Sequence, residues 1–241
     1  MKIAIIGCGW LGKRLAKHLS SRNHHVLATT TSPGKVAELQ KVAHEVHVLD
    51  FSKEFHPVFL KDMDMAIFSM PISSESWHKG FQKFNASFKK NLFFSSTGIY
   101  PLQNGIYTEN YTENLRADIL ASEQLVTKKY PQTVILRLGG LMGDDRSLTN
   151  FFSHKTPPHP EKKVNYIHYE DIVCIVELFL TDENKNNIYN IVAPEHPAMG
   201  EILNTEVSAE KPETSGDRII SPELFIKEFN YKFIHPNPKY F

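Results

Sequence analysis

The sequence predicts an α/β protein with a doubly wound parallel sheet and a small C-terminal part. Three observations carry this. Short apolar runs alternate with amphipathic stretches as far as Leu138, the order that puts helices on both faces of a parallel sheet. The first apolar run ends directly in a glycine-rich loop, Gly7-Cys8-Gly9-Trp10-Leu11-Gly12. Beyond Gly143 the alternation fades into a Pro-, His- and Lys-rich stretch. Residues 1–143 are therefore read as the sheet domain and 144–241 as the smaller part.

Residues 2–6 form an unbroken apolar run, as a strand buried on both faces requires. Leu11, Leu15 and Leu19 follow at helical spacing. Residues 25–29 read as the second strand and 36–42 as a helix. Residues 46–49 read as the third strand, ending at Asp50, and 65–70 as the fourth, stopped by Pro71. Residues 77–88 suit a helix that carries Trp77, Phe81, Phe84 and Phe88 on one stripe, for the core or a subunit contact. Residues 91–95 read as the fifth strand, 115–129 as an amphipathic helix and 133–138 as the sixth strand. Past Gly143, residues 144–164 read as a long loop and 171–180 as a buried helix. Residues 188–192 read as a late strand returning to the sheet, and 193–216 as irregular chain. Ser221-Pro222-Glu223 has the form of a helix start.

Composition narrows the function. Lys plus Arg and Asp plus Glu are both 27, so the net charge is zero, which argues against a nucleic-acid partner. Two cysteines, Cys8 and Cys174, form no CxxC and suit a reducing, cytoplasmic setting. The N-terminal apolar run is cut by glycines, is followed by Lys13-Arg14 and lacks a cleavage signature, so it does not read as a signal peptide. No apolar run reaches spanning length, so no membrane partner is expected. The 12 histidines show no metal-ligand spacing, and no metal is expected. The expected partner is a small-molecule substrate, and the expected state is monomer or homodimer.

The glycine loop points to a dinucleotide. It follows a strand and opens a helix, the context in which G-x-G-x-x-G has a physical meaning. Gly7 permits the tight turn, Gly9 lets backbone N–H groups approach a pyrophosphate, and Gly12 lets the helix pack on the strand. The helix N-terminus favours phosphate. Trp10 and Leu11 complete the loop. Cys8, inside it, is read as packing against the cofactor, although a thiol at a helix start can have a lowered pKa. An NAD site places an acid at the end of the second strand. Here Thr30-Thr31-Ser32 stand instead, with Lys35 beyond. A carboxylate 4 Å from a 2′-phosphate would cost about 1–4 kcal/mol per charge pair, so NADP is favoured and NAD remains possible.

With the segment Phe94-Ser95-Ser96-Thr97-Gly98-Ile99-Tyr100-Pro101, the chain resembles the extended short-chain dehydrogenase/reductase family, also called the NAD-dependent epimerase/dehydratase family. Residues 136–143, 166–172, 150–157 and 189–194 add to the likeness, the last two pointing to its YeeZ-like subgroup. The resemblance implies a Rossmann domain, in the doubly wound sheet already read from the pattern. It implies that Ser96 is the catalytic Ser that hydrogen-bonds substrate, with Tyr100 nearby. Asp50 would meet adenine, Ser69-Met70-Pro71 would lie beside the cofactor ribose, and Gly139 would line the nicotinamide. Arg146 and Lys155 flank a loop that reads either as a contact for an anionic substrate or as plain solvated chain, and His168 reads as a substrate or loop contact or, by preference, as a hydrogen-bonded structural histidine.

One departure limits this. The family's Tyr-x-x-x-Lys pair is absent after every tyrosine, and Leu115 and Ile119 fall where it belongs. A Tyr of pKa about 10 is ionised about one part in a thousand at pH 7, and losing a positioned acid/base forfeits about 10²–10⁴ in rate. Either another group supplies the proton, with Tyr100, Tyr107, Tyr111 and Arg116 as candidates, or the protein binds its cofactor as a sensor or regulatory module.

Overall fold

The computed structural model describes residues 1–153, 157, 159–181, 184–205 and 217–241. The strands are β1 (Lys2–Ile6), β2 (His25–Thr30), β3 (Glu45–Val48), β4 (Met65–Phe68), β5 (Lys90–Ser96), β6 (Gly105–Tyr107), β7 (Thr133–Leu138), β8 (Gly140–Met142), β9 (Tyr166–His168), β10 (Ile188–Ile191) and β11 (Arg218–Ile220). The helices are α1 (Trp10–Ser21), α2 (Val36–Leu39), α3 (His78–Lys83), α4 (Ala117–Lys129), α5 (Leu148–Phe151), α6 (Tyr169–Thr181), α7 (Met199–Leu203) and α8 (Glu223–Phe229).

Seven strands form one sheet in the order β10-β7-β5-β4-β1-β2-β3. The pairs β1–β2, β2–β3, β1–β4 and β4–β5 all run parallel. The chain leaves β1 in one direction for β2 and β3, and in the other for β4 and β5. The carboxyl end of β1 therefore sits at the switch point, where a parallel sheet opens a crevice for ligands. The fold is the doubly wound Rossmann type that the alternation predicts.

Contacts group the chain into two interleaved compact units, 1–96 with 116–136 and 97–115 with 137–241. The sequence pattern suggests instead a single boundary at 143. In the first unit, β1 and β4 are apolar on both faces. Leu11, Leu15 and Leu19 bury one stripe of α1, worth about 1.5–3 kcal/mol each. The 77–88 segment is helical only over His78–Lys83. A Cβ on Gly80 would meet the Phe51 carbonyl at 1.9 Å, so the helix lies hard against that loop. The backbone then turns extended at Phe84. The aromatic stripe survives the shortened helix: Trp77, Phe81, Phe84 and Phe88 are all buried, edge-on or stacked around Phe51 and Phe68. It is core. The 36–42 helix is likewise short, a 3₁₀ turn at Pro33–Lys35 leading into α2.

In the second unit, β6 pairs with β11 and β8 with β9, both parallel. These three-residue strands are too short to show a period in the sequence. Helix α6 is buried along most of its length. Asp171, fully buried in its first turn, accepts the backbone N–H groups of Ile234 (2.8 Å) and His235 (3.0 Å) and the Tyr231 hydroxyl (3.0 Å). This carboxylate anchors the C-terminal segment. The start expected at Ser221 falls one residue later: Pro222 caps α8, and the Ser221 hydroxyl oxygen accepts the Glu223 N–H at 3.3 Å.

Candidate functional site

The β1–α1 turn shows why glycine is needed at each place. Gly7 has φ of +88°, and a Cβ there would sit 2.8 Å from the Ser69 carbonyl oxygen. A Cβ on Gly12 would meet Cys8 Sγ at 3.1 Å and Ile5 Cγ2 at 3.3 Å, the close approach of α1 to β1. A Cβ on Gly9 would meet nothing within 4 Å. Helix α1 thus begins beside open space, with no side-chain cap and no acid in its first turn. Its leading N–H groups carry partial positive charge, and its own first turn holds no carboxylate. Neighbouring strands hold the loop: the Thr29 carbonyl accepts Cys8 N–H (2.7 Å), Thr29 Oγ1 accepts Gly7 N–H (3.0 Å), and the Ile6 carbonyl accepts Ser69 N–H (2.8 Å).

Within the loop, Leu11 is buried, and the Arg14 guanidinium lies 3.7 Å from the centre of the Trp10 ring. Burial, and then the Glu38 charge, push the Cys8 thiol up to about 12. The helix N-terminus does not activate this thiol; its sulfur is packing, as the loop position suggests.

At the end of β2, Thr30 is buried and its hydroxyl oxygen accepts Ser32 N–H at 3.2 Å. Thr31 and Lys35 are exposed and Ser32 is half-buried. Asp50 accepts the Ser52 hydroxyl (2.6 Å) and N–H (2.9 Å), which hold its carboxyl below the usual range. After β4, Ser69 is half-buried, Met70 buried and Pro71 exposed.

At the end of β5 the two serines point to opposite faces, as strand alternation requires. Ser95 turns inward and donates to Glu123 of α4 at 2.5 Å, both groups buried. Ser96 is half-buried. Ile119 is buried in α4.

The second unit holds the other candidates. Tyr100 is 2% exposed; its hydroxyl donates to Asn190 Oδ1 (2.8 Å) and accepts from Arg137 Nη1 (2.9 Å). Burial raises its pKa, against the opposing pull of Arg137. Asn190 N–H in turn donates to Glu109 (2.7 Å), and Arg218 donates to the carbonyls of Thr97, Tyr100 and Pro101. Tyr100 is thus locked in a buried network, not presented to a ligand. The Tyr107 hydroxyl donates to the Gln103 carbonyl, and Arg116, in the first unit, is taken up by Asp118. Tyr111 is half-buried, its ring edge-on to Tyr107 at 4.8 Å.

Gly139 donates to the Ile191 carbonyl, and a Cβ on it would meet the Asn165 carbonyl oxygen at 2.6 Å. Arg146 is exposed on the wall of a cavity of about 660 Å³, with Leu141, Met142, Phe152, Tyr166 and Met199 among its apolar lining. His168 is not part of that wall; it is buried against His235, ring centres 3.9 Å apart. His154 and Lys155 lie outside the described residues. The buried partners Glu123, Arg137, Asn190 and Asp171 carry no sequence signal beyond being polar residues inside apolar stretches.

Comparison with known proteins agrees with this layout. The model of a family described as NADP oxidoreductase, coenzyme F420-dependent, matches residues 2–74, the first three strands and β4. Protein YeeZ of Escherichia coli K12 is 28% identical across 98% of this chain and 97% of its own length. Among solved structures, WbmG of Bordetella bronchiseptica, in complex with NAD and UDP, superposes with a TM-score of 0.74 at 16% identity, over 98% of this chain and 90% of that one. UDP-glucuronic acid 4-epimerase of Bacillus cereus, in complex with NAD, gives 0.71 at 15% identity, over 99% and 93%. The fold is therefore a Rossmann-like α/β fold of the NAD(P)-binding, oxidoreductase- and epimerase-like kind. The likeness to YeeZ extends over nearly the whole length of the chain. Among the described residues, no helix is long and apolar enough to cross a membrane.

Proposed function

We propose that the chain is an NADP(H)-dependent reductase or epimerase of a small molecule, working without the usual tyrosine–lysine pair. The observation that carries this is the start of α1: an uncapped, acid-free helix N-terminus beside open space at Gly9. Backbone N–H groups there, with Gly7 and Gly12 shaping the turn, would hold the pyrophosphate. Thr31, Ser32 and Lys35 would take the 2′-phosphate, with Thr30 bracing the turn behind them. Asp50, already turned onto Ser52, would edge the adenine. Ser69, Met70, Pro71 and the Gly139 backbone would border the ribose and nicotinamide. The cofactor, when bound, supplies hydride transfer.

Ser96 would hold a substrate oxygen. Tyr100 acts as a positioning residue, because its hydroxyl is buried and already bonded on both sides. Tyr111 takes the proton-donor role, being the half-exposed tyrosine of that cluster. Arg146, on a largely apolar cavity wall, suits a substrate with an anionic group beside an apolar body.

Titrating the purified protein with NADPH and NADH, with Gly9→Asp as control, tests the first step. NADPH should bind more tightly than NADH, and Gly9→Asp should bind neither. No binding at millimolar cofactor would overturn the reading. The second reading, a cofactor-binding module without turnover, is favoured by the buried Ile119 and the locked Tyr100. It predicts cofactor binding with no Ser96-dependent NADPH oxidation across carbonyl and nucleotide-sugar substrates.

A further inference from the structure

A cluster of ligand-type side chains lies in the second unit, apart from every residue assigned above to cofactor binding. His168 ends β9, Glu170 stands in the first turn of α6, and His235 comes from the C-terminal segment. One ligand atom from each lies within 4.8 Å of the others. Glu170 and His235 are 65 residues apart in the chain, so no local spacing announces the group.

Two histidine nitrogens converge on one carboxylate oxygen. His235 Nε2 is 2.6 Å from Glu170 Oε2, and His168 Nδ1 is 3.7 Å from the same oxygen. His168 Nδ1 also accepts the backbone N–H of Glu170, in a long bond of 3.3 Å. That nitrogen therefore presents a lone pair, not a proton. Each acceptor has a donor here, His235 Nε2–H for the Glu170 oxygen and Glu170 N–H for His168 Nδ1. A cation bound among the three would take the place of these two protons, with the His235 proton moved to Nδ1.

The surroundings are built for it. Asp171 fixes the backbone at His235 independently of any ion. Gly143, at φ of +117°, comes so close to His168 Nε2 that a Cβ there would sit 2.5 Å away, which fixes the ring. With Nδ1 as the ligand, Nε2 carries the proton, the usual division of labour in a ligating histidine. Glu170 is half-exposed, which leaves one side of the group open to water.

We propose that His168, Glu170 and His235 form a three-ligand site for a divalent transition-metal ion of the Zn²⁺ class. Two imidazoles and one carboxylate are a donor set that such ions take, with water in the remaining position. The ion would tie the C-terminal segment to the start of α6. This assignment does not depend on the cofactor reading.

The test is titration of metal-stripped, full-length protein with Co²⁺, followed by visible absorption, then displacement by Zn²⁺ followed by calorimetry. One equivalent should bind and give the intense bands of low-coordinate Co²⁺. His235→Asn and Glu170→Gln should each weaken Zn²⁺ binding by at least about 100-fold, while His25→Asn, which breaks a different histidine–glutamate pair, should change nothing. Glu170→Gln is isosteric and half-exposed, so it keeps the test open if His235→Asn folds poorly. No stoichiometric binding by the unmodified protein would overturn the proposal. So would binding that neither variant weakens, leaving His235 and Glu170 as a simple hydrogen-bonded pair.

Discussion

At the scale of single residues, Gly7 and Gly9 separate what the fold needs from what the ligand needs. Gly7 has a positive φ and no room for a Cβ, so Gly7→Ala should cost about 2–3 kcal/mol in urea unfolding. Gly9 has φ of −94° and open space. Gly9→Ala should leave stability within about 0.5 kcal/mol and weaken NADPH binding about tenfold or more, because its Cβ would enter the space proposed for the pyrophosphate. Equal losses of stability in the two variants would contradict this division. Cys8 makes a second case. With its pKa pushed from 9.0 up to about 12, its thiolate is about a thousandfold scarcer than that of an unperturbed thiol. In a Cys174→Ser background, iodoacetamide at pH 8 should label Cys8 only after unfolding. The glycines were legible in the sequence because each has a steric job at fixed spacing. The environment of Tyr100 was not, because its partners Asn190 and Arg137 come from strands 90 and 37 residues away.

At the scale of elements, the long strands and helices of the first unit could be read from their periods, and their errors have physical causes. Residues 77–88 carry a helical aromatic stripe, yet the helix ends at Lys83 because the backbone turns extended at Phe84 while the rings stay in the core. The short strands β6, β8, β9 and β11 exist only through pairing with distant partners, so no local pattern marks them. The C-terminal segment depends on one carboxylate in the same way. Asp171→Ala would leave the Tyr231 hydroxyl and two backbone N–H groups without their acceptor, a loss of about 2–4 kcal/mol. Hydrogen exchange should show protection lost first over 231–241, with β1 and β4 unchanged. Uniform loss across the chain would mean that Asp171 supports the whole fold and not this one attachment.

At the scale of the whole molecule, stability should respond to acid in two stages. His78, whose ring nitrogen meets the Ser122 hydroxyl, and His196, which meets the Val164 carbonyl, both have pKa values lowered by burial. A histidine whose folded pKa is depressed binds its proton more readily when unfolded, so its contribution is present above about pH 6.5 and falls as the pH drops. Glu45, hydrogen-bonded by His25, and Asp50, hydrogen-bonded by Ser52, have depressed carboxyl pKa values and act lower down. Their contribution is present above about pH 4 and lost as they protonate. Glu109 opposes them, because burial raises its pKa and it takes up a proton first in the folded state. Tm should therefore be flat near neutrality, decline gently from about pH 6.5, and fall more steeply below about pH 4.5. His78→Gln with His196→Gln should make the gentle decline shallower, leaving the share of His168, whose pKa burial also lowers, and should leave the steep one unchanged. Glutamine can keep a hydrogen bond at both places but does not titrate. A slope between about pH 7 and 5.5 that is undiminished in the double variant would assign the first stage to other groups, and His78 and His196 would then have no part in the acid response.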